Sequence, residues 1–325
     1  MNTSLATINP SDYPIKERIL GHFLLVRPIQ LIWLDLFIGV SAAIAIFKGF
    51  PPAIFMLWIA IALAGDAGAC TFNDFGDLAS DKLSIETARN RRPIVIGQVS
   101  KNIAFTQGIL LYAISISLSY LVSIEFMITV ILLLLWSSQY SLRPGKMDGR
   151  PIIAQIFWVI HIMLYMSTII LFLQNMVPEF TVDYATAVSD NLWYILFVTL
   201  FFGIGETLVK DIRDVDNDEK GKKNTTTVYL GPYLASRISI IFGTLGLLAW
   251  YGIILEYSDF PISFVILFTI ISITFQYKAY KWGSILKKGY NKEVGRLYHI
   301  NYIIFMALMV TITALGILFR GAIPI

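Results

Sequence analysis

Asn73-Asp74-Phe75-Gly76-Asp77-Leu78-Ala79-Ser80-Asp81 decides how the rest of the sequence is read. It follows directly on an apolar stretch about the length of a membrane span, and its aspartates have the spacing D-x-x-D-x-x-x-D. Asp211, Asp214 and Asp218 repeat that spacing, each displaced by 137 positions. On a helix, Asn73, Asp77 and Asp81 stay near one face at i, i+4 and i+8, and so do Asp211, Asp214 and Asp218 at i, i+3 and i+7. If the two acidic stripes face each other, their carboxylates raise one another's pKa until positive charge intervenes. A divalent cation is the natural remedy. Oxygen-only ligands favour Mg²⁺, which keeps some waters and completes its shell with substrate phosphates. The plainer reading is two solvated acidic loops, but equal spacing at two span ends favours one shared site.

Composition fixes the class. The 325 residues are 56% apolar and 14% charged, with mean hydropathy +0.69, which excludes an ordinary soluble domain. Apolar runs long enough to cross a ~30 Å hydrocarbon core fall at roughly 22–47, 53–72, 103–123, 125–141, 151–174, 191–209, 234–255, 260–279 and 300–319. The expectation is an all-α polytopic membrane protein of nine transmembrane helices, with a cytoplasmic tail over 1–21 and a single transmembrane domain over 22–325. Ser123 to Glu125 is so short a connection that the third and fourth spans should form a tight hairpin. The tail is expected to carry an interfacial helix from Tyr13 to Leu20.

With a cytoplasmic N-terminus, 23 of the 25 Lys and Arg lie on the cytoplasmic side, and only Lys48 and Arg320 lie opposite. Both acidic motifs then face the cytoplasm, and the expected location is the plasma membrane of a prokaryote. The net charge of +3 reports this inner-leaflet bias, so no nucleic-acid partner is expected. The single cysteine, Cys70, excludes an internal disulfide. His22, His161 and His299 show no metal-ligand spacing and read as satisfied or interfacial groups. Spans seven to nine hold no legible polar constellation.

Further polar groups cluster around the acidic stretches. Arg27 lies near the cytoplasmic end of the first span, where it either snorkels or meets a phosphate. Asp35 and Asp66 lie deeper, at a cost that usually means a polar cavity. Asp66 shares the face of Asn73, Asp77 and Asp81 two turns further in, as an acceptor contact, a proton acceptor or a structural hydrogen bond. Arg89, Arg91 and Arg92 follow the first motif, and guanidinium groups suit phosphate oxygens. Tyr140 and Ser141 end the fourth span, and Gly203 and Gly205 let helices approach before Lys210 and Asp211.

These pieces together resemble the UbiA superfamily of intramembrane prenyltransferases. Asn73 to Asp81 is similar to the family's N-D-x-x-D-x-x-x-D. Arg92-Pro93, Gly97 and Ser100 resemble its R-P-(x)-(x)-(x)-G-x-(x)-S element. Tyr140-Ser141 is similar to its Tyr-Ser at the end of the fourth helix, and Lys210-Asp211 through Asp218 and Gly221 to its second acidic element. The resemblance implies a nine-helix bundle with a central cavity, a Mg²⁺-diphosphate site at the cytoplasmic face and a lateral opening for a polyprenyl tail. By motif, Asn73, Asp77, Asp81, Asp211, Asp214 and Asp218 would hold Mg²⁺, and Arg27, Arg92 and Lys210 would meet the diphosphate. Tyr140 and Ser141 would line the reacting end, and the acceptor is expected to bind near them and Asp66, the carboxylate read above from its helical face. Leu142-Arg143-Pro144-Gly145-Lys146 departs from the family's proline-rich run, which puts Arg143 and Lys146 in doubt as diphosphate ligands. The implied reaction is Mg²⁺-dependent transfer of a polyprenyl group from its diphosphate to an aromatic or lipid-type acceptor, with membrane lipids as surroundings. A terpene cyclase of the same fold is the rival reading, because both reactions need the same ionisation.

Overall fold

The computed structural model describes residues 10–83, 92–256 and 259–319. Arg89, Arg91 and Arg320 of the charge argument lie outside the described residues. Nine helices among the described residues are long and apolar enough to cross a membrane: α1 (Ile15–Phe47), α2 (Phe55–Asp81), α3 (Lys101–Tyr120), α4 (Ile124–Ser141), α5 (Ile153–Met176), α6 (Leu192–Lys220), α7 (Pro232–Glu256), α8 (Ile262–Leu286) and α9 (Lys292–Leu318). No strand occurs among them. The all-α, nine-span reading holds. The α3–α4 hairpin is tight as expected, and the Ser123 hydroxyl caps α4 by accepting from the Phe126 amide at 3.1 Å.

Boundaries differ where the chemistry lies. Both acidic motifs, expected as extensions beyond their spans, are the last turns of the spanning helices themselves. The 27 residues of α2 rise to roughly 40 Å against a hydrocarbon core of ~30 Å, so its last turns project out of the apolar slab without a break. The 29 residues of α6 do the same. At the N-terminus, helix begins at Ile15 rather than Tyr13 and runs to Leu25, where Arg27 interrupts it. Arg27 has φ 52, a left-handed conformation unusual for a side chain with a Cβ, and Pro28 restarts the helix at its first position.

Two stretches are π-helical, Ile32–Gly39 in α1 and Thr199–Glu206 in α6. Such widened turns free carbonyls from the usual ladder, and in a membrane those carbonyls need donors. Neighbours supply them: Tyr302 Oη donates to the Phe201 carbonyl at 2.8 Å, and Ser239 Oγ to that of Gly205 at 3.0 Å. The core between helices is aromatic, with Trp58, Trp250, Tyr298 and Tyr302 fully buried. Ile109, Leu132, Ile241 and Ile270, on α3, α4, α7 and α8, are exposed, as a lipid-facing surface requires.

Candidate functional site

The C-terminal ends of α2, α4 and α6 meet at one end of the bundle, and two glycines make the meeting possible. A Cβ on Gly76, inside the first motif, would run into the Ser141 carbonyl oxygen, so only glycine lets α4 lie this close. At the end of the second motif, a Cβ on Gly221 would stand 3.2 Å from the Ser80 carbonyl oxygen. The helix end that carries the second motif thus lies close against the backbone of the first.

On one side of the first motif stand the arginines. Arg27 Nη2 donates at 2.5 Å to both Asn73 Oδ1 and Asp74 Oδ1, and Arg92 Nη1 donates to the same Asp74 oxygen at 2.7 Å. Arg92 Nε lies 3.5 Å from Asp81 Oδ2. Because a guanidinium can only donate, it fixes the Asn73 amide, whose nitrogen then points the other way and donates to Ser141 Oγ at 2.6 Å. Arg27, Arg92, Asn73 and Ser141, all expected at the site, are therefore brought together. Asp74, the motif residue left out of the expected ligand set, is the hub of this side.

On the other side are two lysines, and here the structure adds to the sequence reading. Lys223, from the loop after the second motif, donates to Asp77 Oδ2 at 2.5 Å and to Asp148 Oδ2 at 3.1 Å. Lys146 pairs with Asp77 Oδ1, donates to the Gly76 carbonyl at 3.2 Å and lies 3.6 Å from Asp148 Oδ2. Two cations and two carboxylates alternate in a closed square. Burial works against the charge of Lys223, but the Asp77 and then the Asp148 carboxylates outweigh it and raise its pKa. Burial pushes the Asp148 carboxyl up, and the nearby Asp77 charge adds to it. Lys146, doubted from the sequence because its surroundings depart from the family's pattern, sits at the centre of the site. Lys223 and Asp148 were not expected there.

The second motif splits its aspartates. Lys210 lies among Asp211, Asp214 and Asp218, near enough for its charge to act on all three. Tyr140 lies in the last turn of α4, and its ring packs on Phe157 and Trp158 at centroid distances of 4.9 and 5.4 Å. Asp214 is turned toward Arg213, which grips it through Nε to Oδ1 at 2.8 Å and Nη2 to Oδ2. Deeper in the bundle, Asp35 is fully buried and accepts from Tyr165 Oη at 3.2 Å, and its carboxyl faces that of Asp66. Asp66 thus has the inward direction expected of it, with a second carboxyl group beside it.

The donor chemistry fits a hard cation. All expected ligands offer oxygen, and Asp81 Oδ2, Asp148 Oδ1 and Asn217 Oδ1 are buried at these helix ends without a hydrogen-bond partner. Among the described residues, no three carboxylate or histidine groups stand close enough together to share an ion. In the structure the positive charge that clustered carboxylates demand comes from Lys146, Lys223, Arg27 and Arg92.

The chain matches the sequence profile of the UbiA prenyltransferase family over residues 35–288. It is 24% identical over 213 residues to the digeranylgeranylglyceryl phosphate synthase of Methanosphaera stadtmanae, a match covering 65% of this chain and 70% of that protein. Its fold is similar to that in a solved structure of a digeranylgeranylglyceryl phosphate synthase in membranes, with TM-score 0.66 and 19% identity over 93% of this chain and 99% of that one. It is also similar to a UbiA homologue from Archaeoglobus fulgidus solved with GPP and Mg²⁺, with TM-score 0.59 and 16% identity over 90% of this chain and 99% of that one.

Proposed function

The chain belongs to the UbiA prenyltransferase family, and on that premise we propose that it transfers a polyprenyl group from a prenyl diphosphate to a hydroxyl of a glycerol-phosphate lipid, with Mg²⁺, releasing diphosphate. The observation that carries this reading is the pairing of Lys223, from the loop after the second acidic motif, with Asp77 of the first. It makes the two motifs one charged site, with Arg27 and Arg92 at its other edge. The lipid acceptor is favoured by the curated relatives, which carry the name digeranylgeranylglyceryl phosphate synthase. The excess of Lys and Arg at this end favours a cytoplasmic site.

In this reading Arg27, Arg92, Lys146 and Lys223 bind the phosphate oxygens, and Asn73, Asp77, Asp81, Asp211, Asp214 and Asp218 are the residues that would hold Mg²⁺. The bound cation supplies further neutralisation of the charge that builds on the departing diphosphate. As the bond between the allylic carbon and the diphosphate oxygen breaks, the ring of Tyr140, packed on Phe157 and Trp158, faces the developing carbocation. Such a contact contributes about 0.5–2 kcal/mol. The acceptor oxygen then bonds to that carbon, and its proton passes to the Asp66 carboxylate. The prenyl tail needs no polar recognition, since each buried CH₂ contributes about 0.8 kcal/mol.

Purified protein should be supplied with Mg²⁺, geranylgeranyl diphosphate and a panel of one glycerol-phosphate ether lipid, one hydroxybenzoate and one naphthoate, with products identified by mass spectrometry. The expected product is the doubly etherified glycerol phosphate. Prenylation of an aromatic acid alone would overturn the acceptor, and a cyclised hydrocarbon without acceptor would overturn transfer.

A further inference from the structure

Behind the second acidic motif runs a line of polar contacts that none of the roles above uses. His299 Nε2 stands 3.0 Å from Glu206 Oε1, and His299 Nδ1 stands 3.1 Å from Arg213 Nη1, whose guanidinium in turn grips both oxygens of Asp214. A guanidinium has no acceptor, so His299 Nδ1 accepts and the hydrogen on Nε2 is directed at Glu206. Every link therefore has one allowed direction. The side chains are sheltered, His299 being 7% and Glu206 12% exposed.

An aspartate and the arginine just before it on a helix do not face each other, because successive side chains diverge around the axis. Arg213 nevertheless bends back onto Asp214, and the contact that directs it comes from α9. Gly295, one turn before His299, lets α9 press on α6 here: a Cβ at that position would stand 3.1 Å from the Ile212 carbonyl oxygen and 3.4 Å from Arg213 Cα. Tyr290 Oη donates to the Arg213 carbonyl at 3.3 Å, which fixes the backbone as well. Glu206, at the other end, closes the π-helical stretch of α6.

We propose that Glu206, His299 and Arg213 are positioning residues that hold the Asp214 carboxylate in one orientation for a divalent cation. The inference rests on the assignment of Asp214 as a ligand above. Outer partners of this kind typically alter metal affinity by about 10- to 100-fold when removed.

The test is Mn²⁺ binding to the full-length protein in the presence of a saturating non-reactive geranylgeranyl thiodiphosphate, whose phosphates complete the cation's shell, followed by electron paramagnetic resonance, with a thermal melt of each variant. His299→Phe keeps a flat ring and removes both links, and should weaken Mn²⁺ binding by about 10- to 100-fold. His299→Gln, which offers an acceptor and a donor, should restore binding to within about threefold of the wild type. Glu206→Gln still presents an oxygen to Nε2 and should also stay within about threefold. Arg213→Lys, which keeps the charge but cannot grip two oxygens and the histidine together, should behave like His299→Phe, and it decides the matter if His299→Phe does not fold. Wild-type affinity in folded His299→Phe or Arg213→Lys overturns the proposal alone. Equal losses in Glu206→Gln and His299→Phe also overturn it, since charge would then matter and orientation would not. A wild type that binds no Mn²⁺ overturns the ligand assignment itself.

Discussion

Replacing Gly76 by alanine tests how far the site depends on the approach of α4 to α2. The added methyl would meet the Ser141 carbonyl oxygen head on, with the Ser141 carbonyl carbon and Cβ also close by. An ordinary carbon–oxygen contact requires the helix ends to move apart by roughly 1 Å. That displacement would act on Asn73, which donates to Ser141 Oγ at 2.6 Å, and on Lys146, which donates to the Gly76 carbonyl at 3.2 Å. Overpacking of this kind costs about 1–3 kcal/mol of stability. A displacement of about 1 Å at a reacting centre can cost roughly 100-fold in rate. A stability loss of that size leaves a typical protein folded, so Gly76→Ala should still melt as a folded protein while prenyl transfer falls by about 100-fold. Gly149→Ala is the control, because nothing lies within 4 Å of the position its Cβ would take. The assay is the initial rate of radiolabelled prenyl transfer beside a thermal melt of each variant in detergent. Gly76→Ala with wild-type turnover would refute the idea that close approach of α2 and α4 builds the site.

Three further outcomes are expected. Lys223→Ala removes the cation shared by Asp77 and Asp148 and should lower the transfer rate by about 100- to 1000-fold, the usual effect of losing one charge-stabilising donor; Lys223→Arg should recover part of it, and an unchanged rate in the alanine variant would remove Lys223 from the site. Asp216→Asn, off the Asp211–Asp218 face, should keep transfer within about twofold of wild type, as most changes away from special features do. With Cys70 replaced, single cysteines at the exposed positions Asn224 and Asn291 should be labelled from the cytoplasmic side and one at Asp183 from the opposite side only; labelling of Asn224 and Asp183 from the same side would reject the topology.

What the sequence discloses and what it hides divide along physical lines. Spans are legible because hydropathy accumulates over a local window, and the acidic motifs because a helix converts spacing into a face. Arg27, Arg92, Asn73 and Ser141 meet as the motifs suggest. Lys223 and Asp148 were not legible, since neither has a pattern of its own and only the paths of two loops bring them to Asp77. Lys146 was doubted on the composition of its neighbours, whereas its position follows from a loop that curls back on α2. His299 is a satisfied histidine, as expected, but its partners Glu206 and Arg213 stand on α6, far back in the sequence, so nothing within the last three spans announces the contact. The π-helical turns around Asp35 and before Asp211 have no signature in composition, because they arise from packing between helices.

The central claim is that the two acidic motifs form one Mg²⁺-dependent diphosphate site, and the most direct measurement is a double-mutant cycle read by ligand binding. Binding of a non-reactive geranylgeranyl thiodiphosphate should be measured by calorimetry, with and without Mg²⁺, in the wild type, Asp77→Ala, Asp214→Ala and the double variant. Residues that act as a unit lose nearly everything at the first removal. Each single variant should therefore lose the Mg²⁺-dependent part of the affinity, and the double variant should be scarcely worse. Losses that multiply, or an affinity indifferent to Mg²⁺ in the wild type, would contradict it.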